Sequence, residues 1–122
     1  MVKTRKKKPV VVLAAGGTGG HVYPAESLAR HLEEGGWEIF LISDKKGADL
    51  SASECWLKVI EITVEPLSGK TGLGKIVALL SLLKGIFQVR RVLKKLHPKA
   101  VIGFGGYASF PTMVAAVIGK YK

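Results

Sequence analysis

Six residues, Gly16-Gly17-Thr18-Gly19-Gly20-His21, constrain this chain more than any others. They follow an apolar run, Val10 to Ala15, and precede an amphipathic stretch, Val22 to Glu34. The run carries β-branched Val10, Val11 and Val12, is too short for a typical helix and ends at glycine, so it reads as a buried strand. In the stretch, Ala25, Leu28, Ala29 and Leu32 recur at helical spacing and share one face. Pro24 fits a first turn, where a missing N–H does no harm, and Gly35-Gly36 supply the stop. The glycines therefore join a strand end to a helix start. Four of them permit positive φ and let a ligand approach bare backbone. The first N–H groups of a helix lack internal partners and carry the positive end of its dipole. Such a corner suits an anion, a phosphate or diphosphate above all. A turn alone needs one or two glycines, so four of them with Thr18 and His21 favour a ligand.

Two familiar nucleotide motifs fit poorly. A dinucleotide G-x-G-x-x-G would place glycine at position 22, where Val22 stands, although Asp44 near the end of the next strand keeps a ribose-binding reading open. Gly69-Lys70-Thr71 offers the tail of a Walker loop, but Val64 occupies its first glycine position.

Further along, Trp37 to Ser43 reads as a second buried strand and Val59 to Val64 as a third. Residues 44 to 58 show no clear period, with at most a short helix through Asp49 to Leu57. Pro66 to Gly74, with three glycines and a proline, reads as a mobile loop. Lys75 to Leu96 is a long helix closed by Pro98, with Gly85 a possible kink. Leu82, Ile86, Val89, Leu93 and Leu96 form its core stripe. A second stripe, Ile76, Leu80, Leu83 and Phe87, continues into Arg90, Arg91 and Lys94. That is the pattern of a helix lying in a membrane interface, or of one packed under another domain or the 66–74 loop. Ala100 to Phe104 reads as a fourth strand, and Pro111 to Ile118 as the helix after it, with Ser109 near its N-cap. This order predicts an α/β fold: a Rossmann-like parallel sheet with helices on both faces. A fifth strand is expected where the sequence stops, which makes residues 9–122 look like an incomplete unit behind a flexible basic tail, residues 1–8.

Charge is distributed one-sidedly. All nine acids lie at or before Glu65, whereas residues 66–122 hold ten Lys or Arg, so the formal +10 belongs to that part. A basic half implies an anionic surface: lipid headgroups, phosphosugars or nucleic acid. A hydrophobic fraction of 48% and mean hydropathy of +0.26 exclude a disordered chain. The longest nearly apolar run, Ile76 to Leu83, is too short to span a bilayer. Cys55, the one cysteine, fits a reducing compartment. No metal-ligand spacing is present, and neither metal nor cofactor is expected.

A second glycine constellation, Gly103-Phe104-Gly105-Gly106-Tyr107-Ala108-Ser109-Phe110-Pro111, again ends a strand and opens a helix. Both loops would lie at the carboxyl ends of their strands, where open α/β sheets bind ligands. The string GGTGGHVYPAESLARHL (16–32) resembles the first glycine motif of the MurG family of peptidoglycan glycosyltransferases, and GFGGYASFP is similar to its second. The resemblance runs from residue 10 over nearly the whole chain. It corresponds to the N-terminal, acceptor-binding half of a GT-B glycosyltransferase, without the HEQN-type segment or the C-terminal donor domain. Ser43 to Asp49 (SDKKGAD) departs from the family's usual Gly-Thr start and glutamate.

What the resemblance implies is an inverting transfer of GlcNAc from UDP-GlcNAc to lipid I, the undecaprenyl-diphosphate MurNAc-pentapeptide, at the cytoplasmic face of the bacterial plasma membrane. Thr18, Gly19 and Gly20 would lie against the donor or the diphosphates, and His21 would act as base or positioning residue. Gly16, Gly17, Gly105, Gly106, Tyr107 and Ser109 would hold the acceptor. Ile76, Leu80, Leu83, Lys84, Phe87, Arg90, Arg91 and Lys94 would meet an anionic membrane surface. This segment alone would be inactive. Two alternatives remain: a non-catalytic membrane-recruiting subunit that binds a polyprenyl-diphosphate sugar beside a separate donor-binding chain, and a nucleotide-binding Rossmann module. Nucleic acid is not an expected partner, since the basic half has little aromatic interleaving.

Overall fold

The computed structural model describes residues 8–17, 19–50, 57–62, 72–106 and 109–122. Four strands, β1 (Val10–Ala14), β2 (Glu38–Ser43), β3 (Lys58–Glu61) and β4 (Ala100–Gly103), alternate with α1 (Gly19–Glu34), α2 (Lys45–Leu50), α3 (Leu73–Leu96) and α4 (Ser109–Ile118). All pairings are parallel and the order is β3-β2-β1-β4. The chain thus winds outward from β1 through β2 to β3, then crosses back to lay β4 on the other side of β1.

Both sheet faces are covered, as parallel strands with near-continuous apolar sequence require. On one face, Val22, Ala25 and Ala29 of α1 pack on Val11, Leu13, Ile39 and Leu41, with Leu57 closing that layer. On the other, Val89 and Leu93 of α3 and Ala115 and Ala116 of α4 pack on Val12, Ile42, Ile62 and Val101. Alternate residues of β1 thus serve opposite layers, the period of two of an extended chain.

Several boundaries differ from expectation for local reasons. Helix α1 begins at Gly19, so Pro24 lies inside it, not in its first turn. Having no N–H, Pro24 leaves the Gly20 carbonyl without its α-helical donor. Helix α2 is described over 45–50, where Asp44 caps it: Asp44 Oδ1 accepts the Gly47 N–H at 2.8 Å; residues 51–56, most of the Asp49–Leu57 expectation, lie outside the described residues. Strand β3 is described over Lys58–Glu61, while Thr63 and Val64, expected to continue it, lie outside the described residues. So do the 1–7 tail, Cys55 and most of the 66–74 loop. Ser109 is the first residue of α4 and is buried; its hydroxyl donates to the Ala14 carbonyl at the end of β1.

Helix α3 is unbroken through Gly85, which is buried. At 24 residues it is roughly 36 Å long, about twice the span of the sheet's four- to six-residue strands. The apolar layer beneath it takes Val89 and Leu93, with Ile86, Val92 and Leu96 partly buried, all from its C-terminal half. The N-terminal half buries Ala78 but leaves Leu73, Ile76, Val77, Leu79, Leu80 and Leu83 exposed.

Candidate functional site

The strand order places a topological switch point between β1 and β4, whose connections depart to opposite faces; open parallel sheets leave a crevice there at the carboxyl edge. The first glycine loop leaves β1 and the second leaves β4, so both stand on this rim. They touch. The Gly16 N–H donates to the Gly105 carbonyl at 2.8 Å, and the Phe104 N–H donates to the Ala14 carbonyl at 2.8 Å.

Four glycines at the junction, Gly16, Gly17, Gly105 and Gly106, have steric reasons. A Cβ on Gly16 would lie 2.8 Å from Gly106 Cα, and one on Gly106 would lie 2.6 Å from Gly16 Cα. Gly105 and Gly106 also adopt φ of +103° and +85°, in the left-handed region. A Cβ on Gly17 would collide with the Asp44 carboxylate and come within 2.6 Å of Lys46 Cβ. The glycines therefore let two corners and the start of α2 close onto one another. Asp44, considered for a ribose, is instead committed at least in part to capping α2.

Two buried serines fix the end of β1 just before its loop. Ser43 Oγ donates to the Ala15 carbonyl at 2.6 Å from the β2 side. Ser109 Oγ donates to the Ala14 carbonyl at 3.1 Å from the β4 side, and accepts the Gly105 N–H at 3.3 Å. Ser43 was not singled out from sequence, because an isolated serine at a strand end carries no motif. Its spacing four residues before Gly47 was the available signal: a Cβ on Gly47 would overlap the Ser43 hydroxyl.

His21, the third residue of α1, is half-buried. A Cβ on Gly105 would lie 3.0 Å from its Nε2, and one on Gly106 would lie 3.4 Å from its Nδ1. The imidazole therefore rests on the second corner while belonging to the first. Gly20 is exposed beside it, whereas Gly16 is buried with its N–H already engaged. Thr18 and Tyr107 lie outside the described residues. The rim is thus a backbone-lined corner with one imidazole at its centre and Lys45 and Lys46 at its side. Among the described residues no cluster of His, Cys, Asp or Glu could hold a metal ion.

The proposed membrane residues stand together on α3. Ile76, Leu80, Leu83 and Phe87 are all exposed, Phe87 by 67%. Lys84, Arg91 and Lys94 are exposed and Arg90 is half-buried. Shallow grooves flank Phe87, one lined by Lys84, Gln88 and Arg91 and the other by Arg90, Arg91 and Lys94. Phe110, Val117 and Ile118 of α4 are exposed as well, which sequence reasoning missed because α4 is apolar nearly all round. No described helix is long and apolar enough to cross a membrane. A groove of about 360 Å³ runs along the outer face of α1, lined by Tyr23, Glu26, Ser27, Arg30, His31 and Glu34; it is not lined by the glycine corners.

Residues 11–120 match the family model described as glycosyltransferase family 28 N-terminal domain. A protein of Paramagnetospirillum magneticum named UDP-N-acetylglucosamine–N-acetylmuramyl-(pentapeptide) pyrophosphoryl-undecaprenol N-acetylglucosamine transferase is 45% identical over 112 residues, 92% of this chain and 30% of that protein. A protein of the same name from Rhodospirillum centenum is 46% identical over 106 residues, 87% of this chain and 28% of its own length. The chain thus spans under a third of these relatives. The crystal structure of Acinetobacter baumannii MurG superposes with a TM-score of 0.79 at 30% identity, covering 93% of this chain and 33% of that one. The glycosyltransferase VinC, solved with dTDP, shares the fold at a TM-score of 0.58 and 15% identity, over 92% of this chain and 33% of its own.

Proposed function

Since the chain belongs to the glycosyltransferase family 28 N-terminal domain family, we propose that it forms the acceptor- and membrane-binding part of an inverting transferase that moves GlcNAc from UDP-GlcNAc to lipid I. The observation that carries the reading is the joining of two glycine corners at the switch point of the sheet. In this reading the corner cradles a diphosphate with N–H groups and the positive end of α1, without a metal.

The reaction is a displacement at the anomeric carbon of GlcNAc. The C4 hydroxyl of MurNAc forms the new C–O bond, the bond to UDP breaks with its electron pair leaving on the diphosphate, and the hydroxyl proton passes to a base. His21 is the residue proposed for that proton or for orienting the hydroxyl, because its ring stands where the corners meet. Gly19 and Gly20 at the start of α1 would face the leaving diphosphate, and Thr18 and Tyr107 would add hydroxyls. The backbone of Gly105 and Gly106 is proposed on the acceptor side. Gly16, Gly17 and Ser109 would shape the cradle.

The exposed stripe Ile76, Leu80, Leu83 and Phe87, with Lys84, Arg90, Arg91 and Lys94, would hold the domain on the anionic cytoplasmic face of the plasma membrane, where the polyprenyl acceptor resides. Apolar side chains would enter the acyl boundary while the cations meet headgroups.

A chimera tests the whole reading. Residues 11–120 of this chain replace the matching segment of the Paramagnetospirillum magneticum relative, and GlcNAc incorporation into lipid I is measured. The chimera is expected to transfer, with His21→Ala strongly impaired. A folded chimera with no transfer would refute the assignment.

A further inference from the structure

We propose that Lys46 is a diphosphate-binding residue of the glycine corners, supplying the positive charge that backbone N–H groups alone do not. The inference rests on the cradle reading above and adds a side chain to it.

Lys46 is exposed on the first turn of α2, which leaves β2 on the same rim as both corners. A Cβ on Gly17 would lie 2.6 Å from Lys46 Cβ, so the lysine stem starts directly over the first glycine loop. Gly17 follows Gly16, which meets Gly105 and Gly106. The carboxyl ends of β2, β1 and β4 thus bring Lys46, the first loop and the second loop into one contiguous line. From that stem a flexible lysine side chain has the reach to set its ammonium over the corner.

Lys46 has no ion-pair partner among the described residues. The neighbouring carboxylate, Asp44, accepts the Gly47 N–H and is held at the start of α2. Both Asp44 oxygens stand over Gly17 beside the Lys46 stem, so an anion bound there needs the Lys46 ammonium to offset that carboxylate. Corner N–H groups are partial charges, and one of them, that of Gly16, is already used within the protein. A diphosphate carries more than one full negative charge, and an ammonium on a flexible stem is a common point-charge complement to it.

Titration of the 122-residue chain with inorganic pyrophosphate, followed by calorimetry, tests the proposal. The unaltered chain is expected to bind, Lys46→Ala to bind about tenfold more weakly, and Lys46→Arg to keep most of the affinity. Lys95→Ala, in the last turn of α3, controls for net charge and is expected to change little. Lys46 is exposed, and circular dichroism melts verify that each variant folds. Binding by the unaltered chain with equal affinity in Lys46→Ala, or with equal losses in Lys46→Ala and Lys95→Ala, would overturn the role of Lys46 and leave the cradle standing. No pyrophosphate binding by the unaltered chain would overturn the cradle itself.

Discussion

The Gly16 amide donates to the Gly105 carbonyl across 2.8 Å, and this bond joins two loops that are nearly ninety residues apart into one body. It forms because neither partner carries a side chain where the loops meet. Rim geometry is thus set by backbone against backbone, which cannot yield by changing a rotamer. That rigidity is what a preorganised anion site needs.

Gly106→Ala should therefore cost far more than an ordinary loop substitution. It forces alanine into φ +85° and drives its Cβ to within 2.6 Å of Gly16 Cα. Gly36→Ala is the matched control, with φ +91° and nothing within 4 Å of its Cβ. The control is expected to lose about 1–2 kcal/mol, the left-handed strain alone. Gly106→Ala is expected to lose at least ~2 kcal/mol more, in the range of overpacking costs. Urea denaturation of both measures the difference. Equal losses would mean that the corners do not interlock.

Thr112→Val should stabilise the protein. Thr112 is fully buried in α4, and its Oγ1 has no hydrogen-bond partner among the described residues. Valine replaces the hydroxyl by a methyl of similar shape and relieves the desolvation cost of an unpaired polar atom, about 1–3 kcal/mol. A rise in the urea midpoint checks this. A fall would reveal that the hydroxyl has a partner in solution.

Much of this architecture was legible in the residues because the signals were local. Val10 to Ala15 marked a strand, the Ala25–Leu32 spacing marked α1, and glycine punctuation marked both corners. The core stripe of α3 also follows from spacing alone, with Val89 and Leu93 buried as expected. What local pattern could not convey was partnership across the sheet. Whether Gly16 serves a ligand or Gly106 depends on the strand order β2-β1-β4, which no single stretch encodes. Ser109 looked like a cap from its position before a helix, yet its hydroxyl answers a carbonyl 95 residues away. Asp44, whose place after a strand kept a ribose reading open, caps the short α2 that the weak periodicity of residues 44–58 concealed.

The two stripes of α3 should separate cleanly under mutation. Leu93→Ala removes a fully buried side chain from the layer beneath the sheet and is expected to cost about 2–5 kcal/mol. Phe87→Ala touches a residue 67% exposed and is expected to stay within about 0.5 kcal/mol. Flotation with vesicles containing anionic lipid should give the reverse ranking. The Phe87→Ala chain is expected to bind less, and binding should weaken with salt, because the cations near Phe87 are screened. A chain whose vesicle binding ignores both Phe87 and salt would remove α3 as the membrane face.

Pro24→Ala tests whether α1 carries a built-in defect next to the candidate site. The proline removes the donor that the Gly20 carbonyl would use, one turn from the helix start and beside His21. A proline inside a helix costs about 3 kcal/mol, partly offset by about 0.4–1 kcal/mol because it also stiffens the unfolded chain. Alanine should return a donor for the Gly20 carbonyl and raise stability by about 2 kcal/mol, read from the urea midpoint. Amide exchange at residue 24 should then be as protected as at its helical neighbours. A variant less stable than the parent would show that the proline helps hold His21 against the second corner.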